Sequence, residues 1–244
     1  MPVKNPLTKG LKRKALFSQR EDLYLFEAIA FGRGAKWVAG VDEAGRGSLA
    51  GPVVAAAVIL GERVDPSGVK DSKLLGPKLR ERLFKRIVEN AVSISLGVVG
   101  PEEINKTNIH KATLMAMQLA VLNLTPRPDL VLVDGPHKVP FEIPQEAIVH
   151  GDRRSLSIAS ASIVAKVYRD RIMQAMDQVY PGYGFGKHKG YGTRDHLNVL
   201  RIKGPCPIHR LYFKGVRCEG HQRIGQTRGR AGPSIFGGEG FQGT

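Results

Sequence analysis

The sequence predicts an α/β domain built around a mixed sheet. Two apolar segments rich in valine and alanine, residues 37–43 and 53–60, follow one another with no helix between them, as in a meander. Further along the chain, helical and strand-like segments alternate, which is typical of strands joined by helices. Together the two patterns favour one sheet that contains both antiparallel and parallel strand pairs, with helices packed against it.

The remaining elements follow from the spacing of their apolar residues. Further strands are predicted at residues 92–99, 130–133 and 146–150, and helices at residues 21–31, 77–91, 101–124, 157–180 and 193–202. Pro77 suits the first position of its helix, and Thr193 is a candidate cap for the last one. Three consecutive alanines, residues 55–57, make the second strand thin, so close packing is expected there.

Composition divides the chain into three parts. Residues 1–35 are predicted to form a basic arm with one short helix, residues 36–216 a single domain, and residues 217–244 a glycine-rich, basic, disordered tail. A chain of 244 residues, 42% of them hydrophobic, is long enough for one full-sized core.

The charge balance favours a polyanionic partner. Lysine and arginine number 37 against 22 aspartates and glutamates, a formal net charge of +15. Nucleic acid is the commonest partner of such a protein. A solvated basic surface or a ribosome-associated protein is the alternative.

Cysteine usage and the amino terminus indicate the compartment. Cys206 and Cys218 are the only cysteines, which is too few for a disulfide framework and offers no CxxC zinc site. The first 20 residues contain no apolar run of signal-peptide length, and no stretch approaches the ~18 apolar residues of a membrane span. We therefore expect a soluble, cytoplasmic protein with no membrane partner.

Acidic residues stand where three predicted apolar strands stop. One strand-ending aspartate is more often a turn residue. Several of them at the carboxyl ends of strands, where ligands of α/β sheets gather, favour a site for a hard cation such as Mg²⁺. The acids are Asp42, Glu43, Asp134 and Asp152.

A short loop follows the first acidic pair at once. Gly45, Arg46 and Gly47 can bring backbone amides and a guanidinium close to a phosphate, because glycine has no side chain to block the approach. Carboxylates for a metal beside donors for a phosphate are the outline of a phosphodiester-cleaving site.

Several motifs, in order along the chain, resemble ribonuclease HII. The resemblance runs from about residue 36 to residue 216 and is carried by these segments: Gly-Val-Asp-Glu-Ala-Gly-Arg-Gly at 40–47, Asp-Ser-Lys at 71–73, Val-Asp-Gly at 133–135, Gly-Asp at 151–152, the run at 157–170, Lys-Gly-Tyr-Gly-Thr at 189–193 and Gly-Pro-Cys-Pro-Ile-His-Arg at 204–210.

The resemblance implies a fold and an activity. The fold is RNase H-like, a five-stranded mixed sheet flanked by helices, with residues 36–216 as the catalytic domain. The activity is endonucleolytic cleavage of the RNA strand of RNA–DNA hybrids, and cleavage 5′ of a single ribonucleotide embedded in duplex DNA. It leaves 3′-hydroxyl and 5′-phosphate ends, requires Mg²⁺ or Mn²⁺, and serves ribonucleotide removal in DNA replication and repair.

The resemblance also implies roles for particular residues. Asp42, Glu43, Asp134 and Asp152 match four metal-binding, catalytic carboxylates, consistent with two cations about 4 Å apart in an in-line displacement. The matching substrate-binding residues are Gly45, Arg46, Gly47, Lys73 and Tyr191. The 2′-hydroxyl is the group by which such residues separate RNA from DNA.

Some of these residues have plainer interpretations. Tyr191 is otherwise a turn aromatic, and Arg46 a generic surface contact to phosphate. Lys166 and Arg169 either track phosphates or form a solvated helix face. Asp170, beside Arg169 and Arg171, is expected in a structural ion pair, and Asp71 in a turn.

Other functions are also compatible with parts of the pattern. Ribonuclease HIII usually carries an extra amino-terminal domain, for which about 35 residues are too few, and a junction resolvase leaves the tyrosine loop unexplained. A metal-free mechanism would use His188, His196 or His209. A binding module with structural acids would bind duplexes without cutting them. We expect a monomer.

Overall fold

Strand β1 lies at the centre of a five-stranded mixed sheet in the computed structural model, which describes residues 23–61 and 76–216. The strands are β1 Val38–Ala44, β2 Val53–Leu60, β3 Ala91–Val99, β4 Leu130–Asp134 and β5 Gln145–Ile148, in the order β3-β2-β1-β4-β5. The helices are α1 Leu25–Gly32, α2 Pro77–Asn90, α3 Pro101–Lys106, α4 Ile109–Leu122, α5 Leu156–Val179, α6 Phe185–His188 and α7 Arg194–Lys203, with a 3₁₀ turn at Gly151–Arg153.

The pairing confirms a mixed sheet. β1 pairs antiparallel with β2 and parallel with β4, and β4 pairs parallel with β5. The carboxyl end of β1, which carries Asp42 and Glu43, therefore lies beside the carboxyl end of β4.

Helices cover both faces of the sheet. On one face α4 packs on alternate residues of β1 and β2, among them Ala39, Val41 and Ala55. On the other face α5 and α2 pack against Ala56 and Val58. The alanines of β2 are fully buried because helices approach the strand from both sides.

The helix predicted at residues 101–124 is two helices. Asn108 interrupts it with extended backbone, and its side-chain oxygen accepts a hydrogen bond from the Lys111 amide, which caps α4. Asparagine competes with the helical backbone for such bonds, so a cap can form within an otherwise continuous apolar pattern. The predicted cap of the last helix is confirmed, since the Thr193 side chain accepts from the His196 amide.

Helix α1, which lies within the predicted arm, contacts the start of α5 through a buried carboxylate. Glu27 is 2% exposed, and its Oε1 accepts from the Ser155 hydroxyl and from the amide and hydroxyl of Ser157. Negative charge is favourable at a helix amino terminus. Residues 1–22 of the predicted arm and the glycine-rich tail lie outside the described residues.

Glu27→Ala is expected to destabilise the protein by about 3 kcal/mol, because it leaves three donors at a buried helix start without their acceptor. Urea denaturation of this variant, compared with Glu103→Ala on the partly exposed face of α3, measures the difference. A free energy of unfolding within 0.5 kcal/mol of wild type, the usual range of surface changes, would contradict a structural role for Glu27.

Candidate active site

Three of the expected carboxylates meet at one edge of the sheet. Val41 of β1 is level with Val133 of β4, so Asp42 and Asp134 are the next residues on parallel neighbouring strands. Asp42 is 3% exposed, and Glu43 follows it on the opposite face of the strand. Small residues, Ala56 and Ala55, lie opposite the acidic pair on β2 and leave space beside them.

Backbone donors fix two of these carboxylates. The Glu43 amide donates to Asp42 Oδ1 at 2.7 Å, and the Gly151 amide donates to Asp134 Oδ1 at 2.7 Å. Gly151 packs tightly between Asp134 and Ile158, so a side chain there would collide with both. The loop after β5 therefore holds Asp134 in place.

Burial and mutual repulsion oppose ionisation of the acidic pair. Burial, followed by repulsion from Glu43 and Asp134, raises the pKa of Asp42 well above its ordinary value. Burial and Asp134 likewise raise the pKa of Glu43, against a lowering contribution from Arg46. Each carboxylate is therefore less stable in its charged form than it is in water.

A divalent cation would relieve this repulsion. Oxygen ligands from carboxylates are those that Mg²⁺ and Mn²⁺ prefer. Within residues 23–61 and 76–216, no three His, Cys, Asp or Glu side chains form a preassembled metal cage. The fit of a cation therefore rests on the charge of Asp42, Glu43 and Asp134 and on their common edge.

Asp152 is placed differently from the other acids. It lies in the 3₁₀ turn, four residues after β5 ends at Ile148, and is 2% exposed. The strand predicted to reach residue 150 stops earlier, and His150 adopts a left-handed conformation that turns the chain. Asp152 adjoins the Gly151 amide that binds Asp134, but it does not line the cleft described next.

A cleft of about 320 Å³ opens over the three carboxylates. It brings together six of the predicted site residues. They are Asp42, Glu43, Gly45, Arg46, Asp134 and Tyr191. Gly47 is exposed beside the cleft without lining it, and Lys73 lies outside the described residues.

The cleft also has a basic lining. Lys166 and Arg80 line it, and both contact Asp170, with Lys166 Nζ at 2.6 Å and Arg80 Nη1 at 3.6 Å. Sequence reasoning missed Arg80, because one arginine on an amphipathic helix looks like any other solvated charge. Lys166 borders the cleft rather than standing on an open, solvated face.

The ion pair predicted for Asp170 is confirmed, but with different partners. Arg169 and Arg171 are its sequence neighbours, and adjacent residues on a helix point apart, whereas Lys166 is four positions away on the same face. Arg171 instead pairs with Glu81. Asp170 therefore pairs with two basic side chains, Lys166 and Arg80, that line the cleft.

Both predictions for Arg169 are wrong, because its side chain is fully buried. Its guanidinium donates to the carbonyls of Pro52, Ala50 and Lys189 at 2.9–3.1 Å. Gly45, with φ of +91°, leaves the space that the Arg169 side chain fills. The guanidinium also lies over the Tyr191 ring, 5.4 Å from its centroid.

A second buried arginine also binds the loop after β1. Arg210 donates to the carbonyls of Gly51 and Arg46, both at 3.0 Å. Burial lowers the pKa of both guanidinium groups, and hydrogen bonds to carbonyls offset the desolvation of the charge. The segment from Gly45 to Pro52 is thus anchored by two side chains from distant parts of the chain.

Comparison with known proteins supplies the family. A family model described as Ribonuclease HII matches residues 39–216. The chain belongs to the ribonuclease HII family. Ribonuclease HII of Geobacter sulfurreducens is 52% identical over 205 residues, which are 84% of this chain and 93% of that protein. Ribonuclease HII of Acetivibrio thermocellus is 48% identical over 205 residues, covering 84% and 80% respectively.

Solved structures agree with this membership. Ribonuclease H2 from Pyrococcus horikoshii superposes with a TM-score of 0.64 at 27% identity, covering 74% of this chain and 95% of that one. The RNase HII of a PCNA complex from Archaeoglobus fulgidus gives a TM-score of 0.63 at 27% identity, covering 73% and 95%. The RNase H-like fold is confirmed, and ribonuclease HII membership makes the chain a ribonuclease H rather than a junction resolvase or a non-catalytic binding module.

No helix among the described residues is long and apolar enough to cross a membrane.

Proposed function

We propose that this ribonuclease HII hydrolyses the RNA strand of RNA–DNA hybrids and cuts 5′ of single ribonucleotides in duplex DNA. The observation that carries the proposal is the cleft, which is lined together by three carboxylates, by basic side chains and by Tyr191. A phosphodiester lying across such a cleft has a site for cations on one side and guanidinium and ammonium donors on the other. Residues 36–216 would form the catalytic domain, acting as a monomer.

The acidic side would hold the metal. We propose Asp42, Glu43, Asp134 and Asp152 as ligands of Mg²⁺ or Mn²⁺, with Asp152 reaching the site from the buried turn beside Asp134. Two such ions held by these carboxylates would supply activation of the attacking water and stabilisation of the departing 3′ oxygen, which would give 3′-hydroxyl and 5′-phosphate ends.

The basic side and the glycine loop would read the substrate. Arg46, half exposed and 3.8 Å from Glu43, can contact a phosphate next to the carboxylates. Gly47 is exposed with open space around its Cα, so a sugar can approach the backbone there. Tyr191 is 36% exposed, which leaves part of its ring free to pack on the ribose. Lys73 is proposed as a further phosphate contact.

The test uses a labelled DNA duplex with one ribonucleotide, a uniform RNA–DNA hybrid and an all-DNA control, with Mn²⁺ or Mg²⁺. Cleavage 5′ of the ribonucleotide with a 3′-hydroxyl end, lost in EDTA and not seen on DNA, is the expected result. Tight binding of the duplex without metal-dependent cleavage would contradict the proposal.

Tyr191→Ala is expected to lower kcat/KM on the single ribonucleotide roughly tenfold, since an aromatic contact to a nucleotide contributes about 1–3 kcal/mol. Tyr212→Ala is the matched control, because Tyr212 is 67% exposed and does not line the cleft. Equal kcat/KM values for the two variants would show that Tyr191 takes no part in substrate recognition.

A further inference from the structure

Two fully buried histidines lie directly behind the Tyr191 loop. His196, in the first turn of α7, is 0% exposed, and His209, next to Arg210, is 1% exposed. The ring of His188 stacks on that of His196 at 4.2 Å, and Phe185 packs against both. The metal-dependent chemistry proposed above uses none of these rings.

Hydrogen bonds join His196 and His209 in a chain that ends at Tyr191. His196 Nδ1 lies 2.9 Å from the Tyr191 carbonyl oxygen, and the two Nε2 atoms of His196 and His209 are 3.0 Å apart. His209 Nδ1 accepts from the Cys206 amide at 2.9 Å. The chain thus runs from the Cys206 backbone through two rings to the Tyr191 backbone.

The position of each ring hydrogen in this chain can be assigned from the group that the ring nitrogen contacts. A carbonyl oxygen only accepts, so His196 Nδ1 must carry a hydrogen and donate to Tyr191. His196 Nε2 is then the acceptor of a neutral ring, and His209 Nε2 must donate to it. In a neutral His209 ring, Nδ1 then carries no hydrogen and accepts from the Cys206 amide at 2.9 Å, rather than donating to the Cys206 carbonyl oxygen at 3.1 Å. With both rings neutral, every link of the chain has one donor and one acceptor.

The surroundings keep the rings neutral. Burial lowers the pKa of His209 to about 4, with smaller effects from His196 and His188, and burial also lowers the pKa of His196. The Cys206 thiol also contacts His209, and burial raises the pKa of this thiol to about 11. Tyr183 faces the His209 ring, and its pKa is likewise raised by burial.

His209 also contacts the segment from Gly45 to Pro52, which includes the glycine loop at residues 45–47. Its backbone forms a bridge with Ala50, within the segment that Arg169 and Arg210 hold. The Leu49 amide in turn donates to the Gly190 carbonyl at 2.8 Å, directly before Tyr191. The two loops expected to read the ribonucleotide are therefore joined through the backbone at Leu49 and through the two histidine rings.

We propose that His196 and His209 are positioning residues that set Tyr191 against the glycine loop and so determine the preference for a ribonucleotide junction. The proposal rests on the proposed role of Tyr191. Neither ring lines the cleft, so both act through the Tyr191 backbone. Loss of the chain should alter which substrate is cut, with hydrolysis itself unchanged.

The test compares kcat/KM on the single-ribonucleotide duplex with kcat/KM on the uniform hybrid. His196→Phe keeps a ring of similar size but removes the donor to Tyr191, and we expect the ratio to fall roughly tenfold, with cleavage of the hybrid within threefold of wild type. Tyr183→Phe is the matched control, since it lies in the same aromatic cluster but its hydroxyl bonds the Gly204 carbonyl. It should leave the ratio unchanged.

A double-mutant cycle separates positioning from general stability. In a Tyr191→Ala background, His196→Phe should cause no further fall in the ratio, because its effect passes through Tyr191. Additive losses, or equal losses on both substrates, would overturn the proposal. If His196→Phe does not fold, His209→Gln, which keeps a donor, and His209→Leu, which does not, provide the same comparison, with the ratio retained only by glutamine.

Failure of the proposed function is distinguishable from failure of this proposal. A wild-type enzyme that does not cut the single ribonucleotide contradicts the proposed function itself. A wild-type enzyme that prefers the junction, with variants that keep the preference, contradicts only the role of the histidines.

Discussion

Asp42→Asn is expected to abolish cleavage and, at the same time, to raise the thermal stability of the protein in EDTA. Asparagine keeps an oxygen to accept the Glu43 amide but removes a buried charge that Glu43 and Asp134 repel. Loss of a residue that merely orients a metal ligand commonly reduces activity 10–100-fold, so loss of a ligand should exceed about a hundredfold. Measured together, activity and melting temperature should move in opposite directions.

The size of the stability change depends on pH. The folded protein raises the pKa of Asp42, so it binds this proton more readily than the unfolded chain does. That contribution is fully present below the ordinary pKa of 3.8 and is lost as the pH rises through the elevated value. The stabilisation by Asp42→Asn should therefore be absent near pH 3 and largest at neutral and alkaline pH.

Metal addition provides the control. Mn²⁺ should raise the melting temperature of the wild type, because a ligand that binds only the folded state stabilises it by mass action, and should raise that of Asp42→Asn much less. Glu146→Gln, on exposed β5 surface, should respond to the ion as wild type does. An Asp42→Asn protein that is less stable than wild type at pH 8 in EDTA would show that Asp42 is structural.

Arg169→Ala is expected to destabilise the protein by about 3–5 kcal/mol, because each buried carbonyl that loses its donor costs about 1–3 kcal/mol and three carbonyls are affected. For a domain of this size that corresponds to a fall in melting temperature of roughly 6–20 °C. The variant loses the three hydrogen bonds that Arg169 donates to the carbonyls of Pro52, Ala50 and Lys189, and it also loses the contact to the Tyr191 ring. Thermal unfolding followed by circular dichroism measures the change.

Arg171→Ala is the matched control on the same helix. Its side chain is half exposed and pairs with Glu81 at the surface, so its removal should change stability by less than about 1 kcal/mol. Arg169→Lys should recover little of the loss, because an ammonium group cannot reproduce three directed guanidinium bonds. An Arg169→Ala protein as stable as Arg171→Ala would restore the solvated-face interpretation.

Much of the fold could be predicted because short, contiguous patterns carry it. The apolar runs of β1, β2 and β4 and the helical period of α5 appear in the sequence within one or two residues of where the structure has them. The helix predicted at residues 101–124 was wrong at Asn108, where one side-chain hydrogen bond outweighs a continuous apolar stripe. Asp152 was expected at a strand end and lies instead in a buried turn, because β5 is shorter than its apolar pattern.

The sequence by itself determined the α/β class, the family resemblance and the carboxylates at the ends of β1 and β4, since each depends on residues adjacent along the chain. Long-range packing shows that Arg169 and Arg210 are internal anchors, that Arg80 lines the cleft, and that His196, joined to His209, bonds the Tyr191 backbone. The bond between Arg210 and Arg46 joins residues 164 positions apart. A charged side chain on one segment reads as solvent-exposed until the loops that cover it, from elsewhere in the chain, are in place.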